Sequence, residues 1–145
     1  MKCADGFFKI FSLPVRRILQ KADLNFGELQ EIRMRINSPL MIRQRGKEYK
    51  LTEEGKLLRC NGNEQYEKEN IHYVDRCELM ETMEYIAGYS LYAYEDELRQ
   101  GFLTIQGGHR VGVAGKILMA EGKVRSIRYI TFLNIRLAHQ VEVCT

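Results

Sequence analysis

The strictest constraint on the fold is a change of period along the chain. Ile32, Met34 and Ile36 alternate with Glu31, Arg33 and Arg35, and a two-residue period puts successive side chains on opposite faces of an extended strand. Asn37-Ser38-Pro39 then turns the chain, and Leu40 to Arg45 followed by Lys47 to Leu51 across Arg45-Gly46-Lys47 predicts a hairpin, giving three antiparallel strands. The same period returns after Gly101, through Phe102 to Gln106, Arg110 to Met119, and Val124 onward across Glu121-Gly122-Lys123. This predicts a second antiparallel segment. Beyond Ser126 the alternation is poor, so Ile130 to Ala138 reads equally as strand or linker.

Helical spacing fills the gaps between these runs. Ser12 as N-cap, Pro14 in the first turn and Val15, Ile18, Leu19 and Ala22 on one side predict an early helix, with Phe7, Phe8, Ile10 and Phe11 packed on the same core. Asp75 and Glu78 have the spacing of a capping box ahead of the apolar stripe Leu79, Met80, Met83, Ile86 and Ala87, with Gly88 as a left-handed C-cap. Ser90 opens a further helix bearing Leu91, Tyr94 and Leu98 and ending near Gly101, while Thr52 to Asn70 reads as a polar loop with a short strand near Leu57 to Cys60. Helices and strands in separate runs indicate the α+β class, an antiparallel sheet with helices packed on one face. One domain over residues 1–145 is expected, with 1–24 a helical lead-in and 126–145 the start of a linker.

Composition and charge narrow the function classes. Apolar residues are 45% and charged residues 28% of the chain, the range of a folded globular protein. No apolar run approaches the ~18 residues of a membrane helix, and Asp5 and Lys9 interrupt what would have to be a signal core. No membrane insertion is expected, and the location is expected to be cytoplasmic. Cys3, Cys60, Cys77 and Cys144 contain no C-x-x-C pair, and His72, His109 and His139 lack ligand spacing, so reduced thiols and no metal are expected. The formal charge of +3 hides a dipole: Glu64 to Glu97 holds ten acids and two bases, whereas Arg99 to Arg136 holds seven bases and one acid.

Gly107-Gly108-His109-Arg110-Val111-Gly112-Val113-Ala114-Gly115 sets glycines beside an arginine, which can bring backbone N–H groups to a phosphate. Its spacing matches neither G-x-x-x-x-G-K-[ST] nor G-x-G-x-x-G. The structural reading is favoured: Gly107 and Gly108 make a hairpin turn, and Gly112 and Gly115 mark a bulge or a close backbone approach. Arg99, Arg110, Arg125, Arg128 and Arg136 lie in a stretch short of acids, which suits binding of phosphate supplied by another domain. Glu95, Asp96 and Glu97 read as solvated helix charge, and the tyrosines and methionines between Met80 and Tyr94 as core and rim.

Four blocks together resemble the N-terminal domain of the stage III sporulation protein AA family: Leu29 to Asn37 with Pro39-Leu40, Tyr89 to Tyr94 through Glu97 to Gly101, Gly107 to Gly112 with Ala114-Gly115, and Leu133 to Arg136. More distantly, the strands around Glu31 to Leu51 and at Arg110 are similar to the PAS-like N-terminal domains of type II and type IV secretion ATPases. The resemblance implies a ring-forming, hexameric ATPase that energises a channel complex between mother cell and forespore, working in the mother-cell cytoplasm. It further implies that a following domain binds ATP and Mg²⁺, and that this domain contacts neighbouring subunits and membrane proteins of the channel. Carried onto this sequence, Arg110, Arg136 and then Arg128 are the candidates to reach nucleotide, with no catalytic residue in the domain itself. No Walker A or Walker B segment is present, so no ATP hydrolysis is expected from these residues alone.

The rival reading is a basic-sheet nucleic-acid module. Arg33, Arg35, Arg43 and Arg45 alternate on adjacent predicted strands and can track a phosphate backbone. The acidic middle segment and the absence of an RNP or helix-turn-helix pattern argue against it. A third possibility, a small-molecule sensor in the PAS manner, requires an interior pocket.

Overall fold

The computed structural model describes residues 6–62, 68–89, 96, 97, 100–120 and 123–138, and for 116–129 the backbone alone. Its elements are α1 (Leu13–Lys21), β1 (Leu29–Arg35), β2 (Met41–Gln44), β3 (Lys47–Leu51), β4 (Leu57–Arg59), α2 (Arg76–Gly88), β5 (Phe102–Thr104), β6 (Arg110–Ala120) and β7 (Lys123–Arg136). All seven strands join one sheet in the order β4-β3-β2-β1-β7-β6-β5, and every neighbouring pair is antiparallel. The α+β expectation is met. The two expected antiparallel segments prove to be halves of a single sheet, sutured where β7 inserts between β1 and β6.

Local chemistry explains most elements. Arg45 and Gly46 both have positive φ, 54° and 74°, the two-residue type I′ geometry that matches the twist of flanking strands. Asp75 accepts from the Glu78 N–H at 2.8 Å while Glu78 Oε1 accepts from the Asp75 N–H at 3.0 Å, completing the capping box of α2. Gly107 and Gly108, at φ 96° and 81°, turn β5 into β6. A β carbon on Gly107 would lie 2.8 Å from His109 Nε2, so this turn admits only glycine.

The core is one cluster on one side of the sheet. Ile42, Ile32, Ile135, Val111 and Leu103 form a continuous cross-strand row, and Val15, Ile18, Leu19, Leu79, Met83 and Ile86 of the two helices join it with Phe7, Phe8, Ile10 and Phe11. The opposite face of the sheet is polar.

Four features depart from the sequence expectations. Residues 126–136, read as the start of a linker, continue β7 and sit near the middle of the sheet; the alternation is weak because apolar Phe132 takes an outward position and the register with β6 shifts between Arg128 and Phe132. Ser12 is at the N-cap of α1, yet its hydroxyl makes no capping bond and is buried without a partner, while its N–H donates to Thr82 Oγ1 at 2.9 Å. Gly88 is not a left-handed cap; Tyr89 is the C-cap, at φ −105°. Glu97 is buried and accepts from the Thr104 N–H at 2.9 Å, in place of being solvated. Most of the helix expected over Ser90 to Gly101, Glu95 included, lies outside the described residues.

Candidate functional site

The polar face of the sheet is built in rows. Pairing places Glu48 (β3), Arg43 (β2), Glu31 (β1), Arg136 (β7), Arg110 (β6) and Thr104 (β5) side by side across six strands. One step along lie Arg33, Asn134, Gly112 and Phe102, and one step further Arg35, Phe132 and Ala114. The structure thus sets Arg110 and Arg136 directly opposite each other on paired strands. It does not bring Arg128 to them: that residue pairs with Lys116 in the β6–β7 ribbon, eight residues along β7 and so roughly 26 Å of strand away.

Glu31 organises this face. Although β1 alternation puts it on the solvent side, it is 5% exposed. It accepts from Arg33 Nε at 2.8 Å, Asn134 Nδ2 at 3.0 Å and Arg136 Nε at 3.1 Å. Burial pushes its pKa up, but the hydrogen bonds from Asn134, Arg33 and Arg136 outweigh that and leave it below the ordinary carboxylate value. The arginines it holds differ. Arg33 spends its donors on Glu31 and, at 2.9 Å, on Glu48, and these partners outweigh burial and raise its pKa. Among the described residues Arg136 is bonded through its Nε alone, and its side chain is 72% exposed, so its terminal amino groups lie toward solvent.

Two further arginines lie over rings. The Arg110 guanidinium is 5.1 Å from the Phe102 ring centroid and that of Arg35 is 4.6 Å from the Phe132 centroid, within cation–π range. Arg45, by contrast, is on the β2–β3 turn in an ion pair with Glu28.

Both described histidines are spoken for. His72 is buried between Glu53 (Nδ1, 2.9 Å) and Glu78 (Nε2, 2.7 Å); desolvation opposes its charge, but those two hydrogen bonds prevail and lift its pKa to about 9. His109 packs edge-on to Phe7 and accepts the Ala138 N–H at Nδ1, which makes it a structural residue. Among the described residues no group of three His, Cys, Asp or Glu side chains is placed to hold a metal ion. No helix among them is long and apolar enough to cross a membrane.

Sequence reasoning missed Glu31, Asn134, Phe102 and Phe132. Their signal is cross-strand pairing over 103 to 105 residues of separation for Glu31 with Asn134 and Arg136, which a local periodicity cannot contain. Gly115 does coincide with a register shift, between Ala114 and Lys116, as expected of a bulge. Gly112 sits in regular pairing opposite Asn134.

Comparison with known proteins supplies the lineage. The model of the family described as Sporulation stage III, protein AA, matches residues 1–145. The chain belongs to that family. Stage III sporulation protein AA of Bacillus subtilis (strain 168) is 34% identical over 113 residues, covering 78% of this chain and 31% of the relative. The chain therefore spans about a third of the length of that curated relative. No solved structure matches.

Proposed function

We propose that this domain is the N-terminal module of a hexameric sporulation ATPase that drives a channel complex between mother cell and forespore, acting from the mother-cell cytoplasm. Family membership and the relative's name support a role in sporulation. The PAS-like fold relation to secretion ATPases, the contacts with neighbouring subunits and the contacts with channel membrane proteins belong to the same reading.

The observation that carries the reading is Arg136, tethered through Nε by Glu31 beside Arg110, with its outer amino groups open. A guanidinium held this way presents a pre-aimed fork to phosphate oxygens. The described residues suit the phosphate end of ATP: the guanidinium groups donate, while Glu31 is already engaged by three donors and no group of three His, Cys, Asp or Glu is placed to hold a metal ion. The module holds phosphate oxygens in place, while bond cleavage falls to the domain that binds the nucleotide.

ATP turnover of the full-length protein tests this. Arg110→Ala and Arg136→Ala are each expected to lower turnover roughly ten- to a hundredfold, the scale of one lost charge-assisted contact, with unchanged thermal unfolding. The 145-residue chain alone is expected to hydrolyse no ATP. Normal turnover in both variants would remove the arginine role.

A further inference from the structure

The strip of the outer face centred on Gly112 has a shape that the arginine row does not explain. On β6 the outward positions after Arg110 are Gly112 and Ala114, so the strand is bare there. Phe102 flanks it on β5 and Phe132 on β7. From strand and residue spacings the two rings are about 10 Å apart across the sheet and about 7 Å apart along it, with the bare strip between them.

Nothing in the fold compels glycine at 112. A β carbon there would meet only Asn134 O at 3.8 Å and Asn134 Cβ at 3.9 Å, ordinary contacts, and its φ is not in the left-handed region. Gly107 is the contrasting case, excluded from substitution by His109. Glycine inside a strand weakens it, and it recurs where a ligand approaches the backbone closely. The strip is therefore open by composition and not by steric need.

Charge and polarity give the ligand class. Arg35 and Arg110 lie over the two rings with no carboxylate partner among the described residues. The acids on this face, Glu31 and Glu48, are taken up by Arg33, Arg136 and Arg43. Asn134 Oδ1 is buried without a hydrogen-bond partner, in the same row as Gly112 and Phe102. The acids Glu81 and Glu84 belong to α2, whose Leu79, Met83 and Ile86 pack on the other side of the sheet. The repulsion expected from the acidic middle segment is thereby screened for its α2 part.

We propose that this strip is a stacking platform for single-stranded nucleic acid. Bases lie flat over Gly112 and Ala114 between Phe102 and Phe132, and the phosphates run past Arg35 and Arg110. Aromatic rings on a basic sheet bind single strands because every base has a stackable face. An acidic protein segment would use the arginines but would have no need of rings beside a bare strand. The assignment shares Arg110 with the ATPase reading but rests on Phe102, Phe132 and Gly112, none of which is assigned to nucleotide there.

The test is fluorescence anisotropy of the 145-residue chain with labelled oligo(dT) and oligo(rU), at low and at physiological salt. Binding that weakens steeply with salt is expected, and the stronger of the two oligonucleotides identifies DNA or RNA as the source. Phe102→Ala and Phe132→Ala should each weaken it roughly five- to a hundredfold. Gly112→Val, whose β carbon would meet only ordinary contacts, should keep the unfolding temperature and abolish binding, whereas Arg45→Ala should change nothing. Absence of binding to both oligonucleotides at low salt overturns the proposal. So does full binding by Gly112→Val, which would mean adsorption by charge alone, or equal displacement by polyglutamate, which would assign the face to an acidic protein.

Discussion

A carboxylate that accepts three donors in a nearly dry site is worth more as an organiser than as a charge. Replacing Glu31 by Ala would strand Asn134 Nδ2 and leave the Nε groups of Arg33 and Arg136 without their acceptor, and a loss of about 1–3 kcal/mol in denaturant unfolding is expected. In the full-length protein the same variant should lower ATP turnover as Arg136→Ala does, since the fork is present but no longer aimed. His72 makes a different prediction. Its folded pKa of about 9 exceeds the 6.5 of the free side chain, so the stability it contributes is fully present below pH 6.5 and is lost as pH rises through about 9. Urea midpoints should fall across that window in the wild type, and His72→Gln should flatten the fall.

Among the elements, those whose cause is local were legible in advance. The capping box at Asp75, the Arg45-Gly46 turn, the Gly107-Gly108 turn and the apolar faces of α1 and α2 each rest on residues within a few positions of one another. What depends on distant pairing was not. β7 was ambiguous because Phe132 faces outward and its register with β6 shifts beyond Arg128, and the burial of Glu31 was hidden because its cover comes from Asn134 and Arg136. Arg110 and Arg136 were named through the family resemblance, and the cross-strand register makes them neighbours; Phe102 read only as a strand residue, and Phe132 fell in the stretch that read as strand or linker. Two substitutions separate these causes. Asp75→Ala should cost about 1 kcal/mol of stability, the scale of a lost N-cap. Gly107→Ala should lower the unfolding temperature, through positive φ and the His109 ring, while Gly112→Ala should leave it near the wild-type value.

For the molecule as a whole, the sheet divides it into an apolar side covered by helices and a polar side rich in arginine. The join that makes this one body is β7 between β1 and β6. A chain cut after Ala120 would keep β1 and β6 with unpaired edges, and size-exclusion chromatography should show it aggregated. The join also has a cost in time. The Glu31–Arg136 pair spans 105 residues, which at a synthesis rate of about 5–20 residues per second means about 5–20 s. Throughout that interval the nascent first half offers β1 as a vacant berth that a strand of any other chain can occupy. A cell translating this message must guard that berth, and crowded polysomes and depleted holdases are where its yield should fail first.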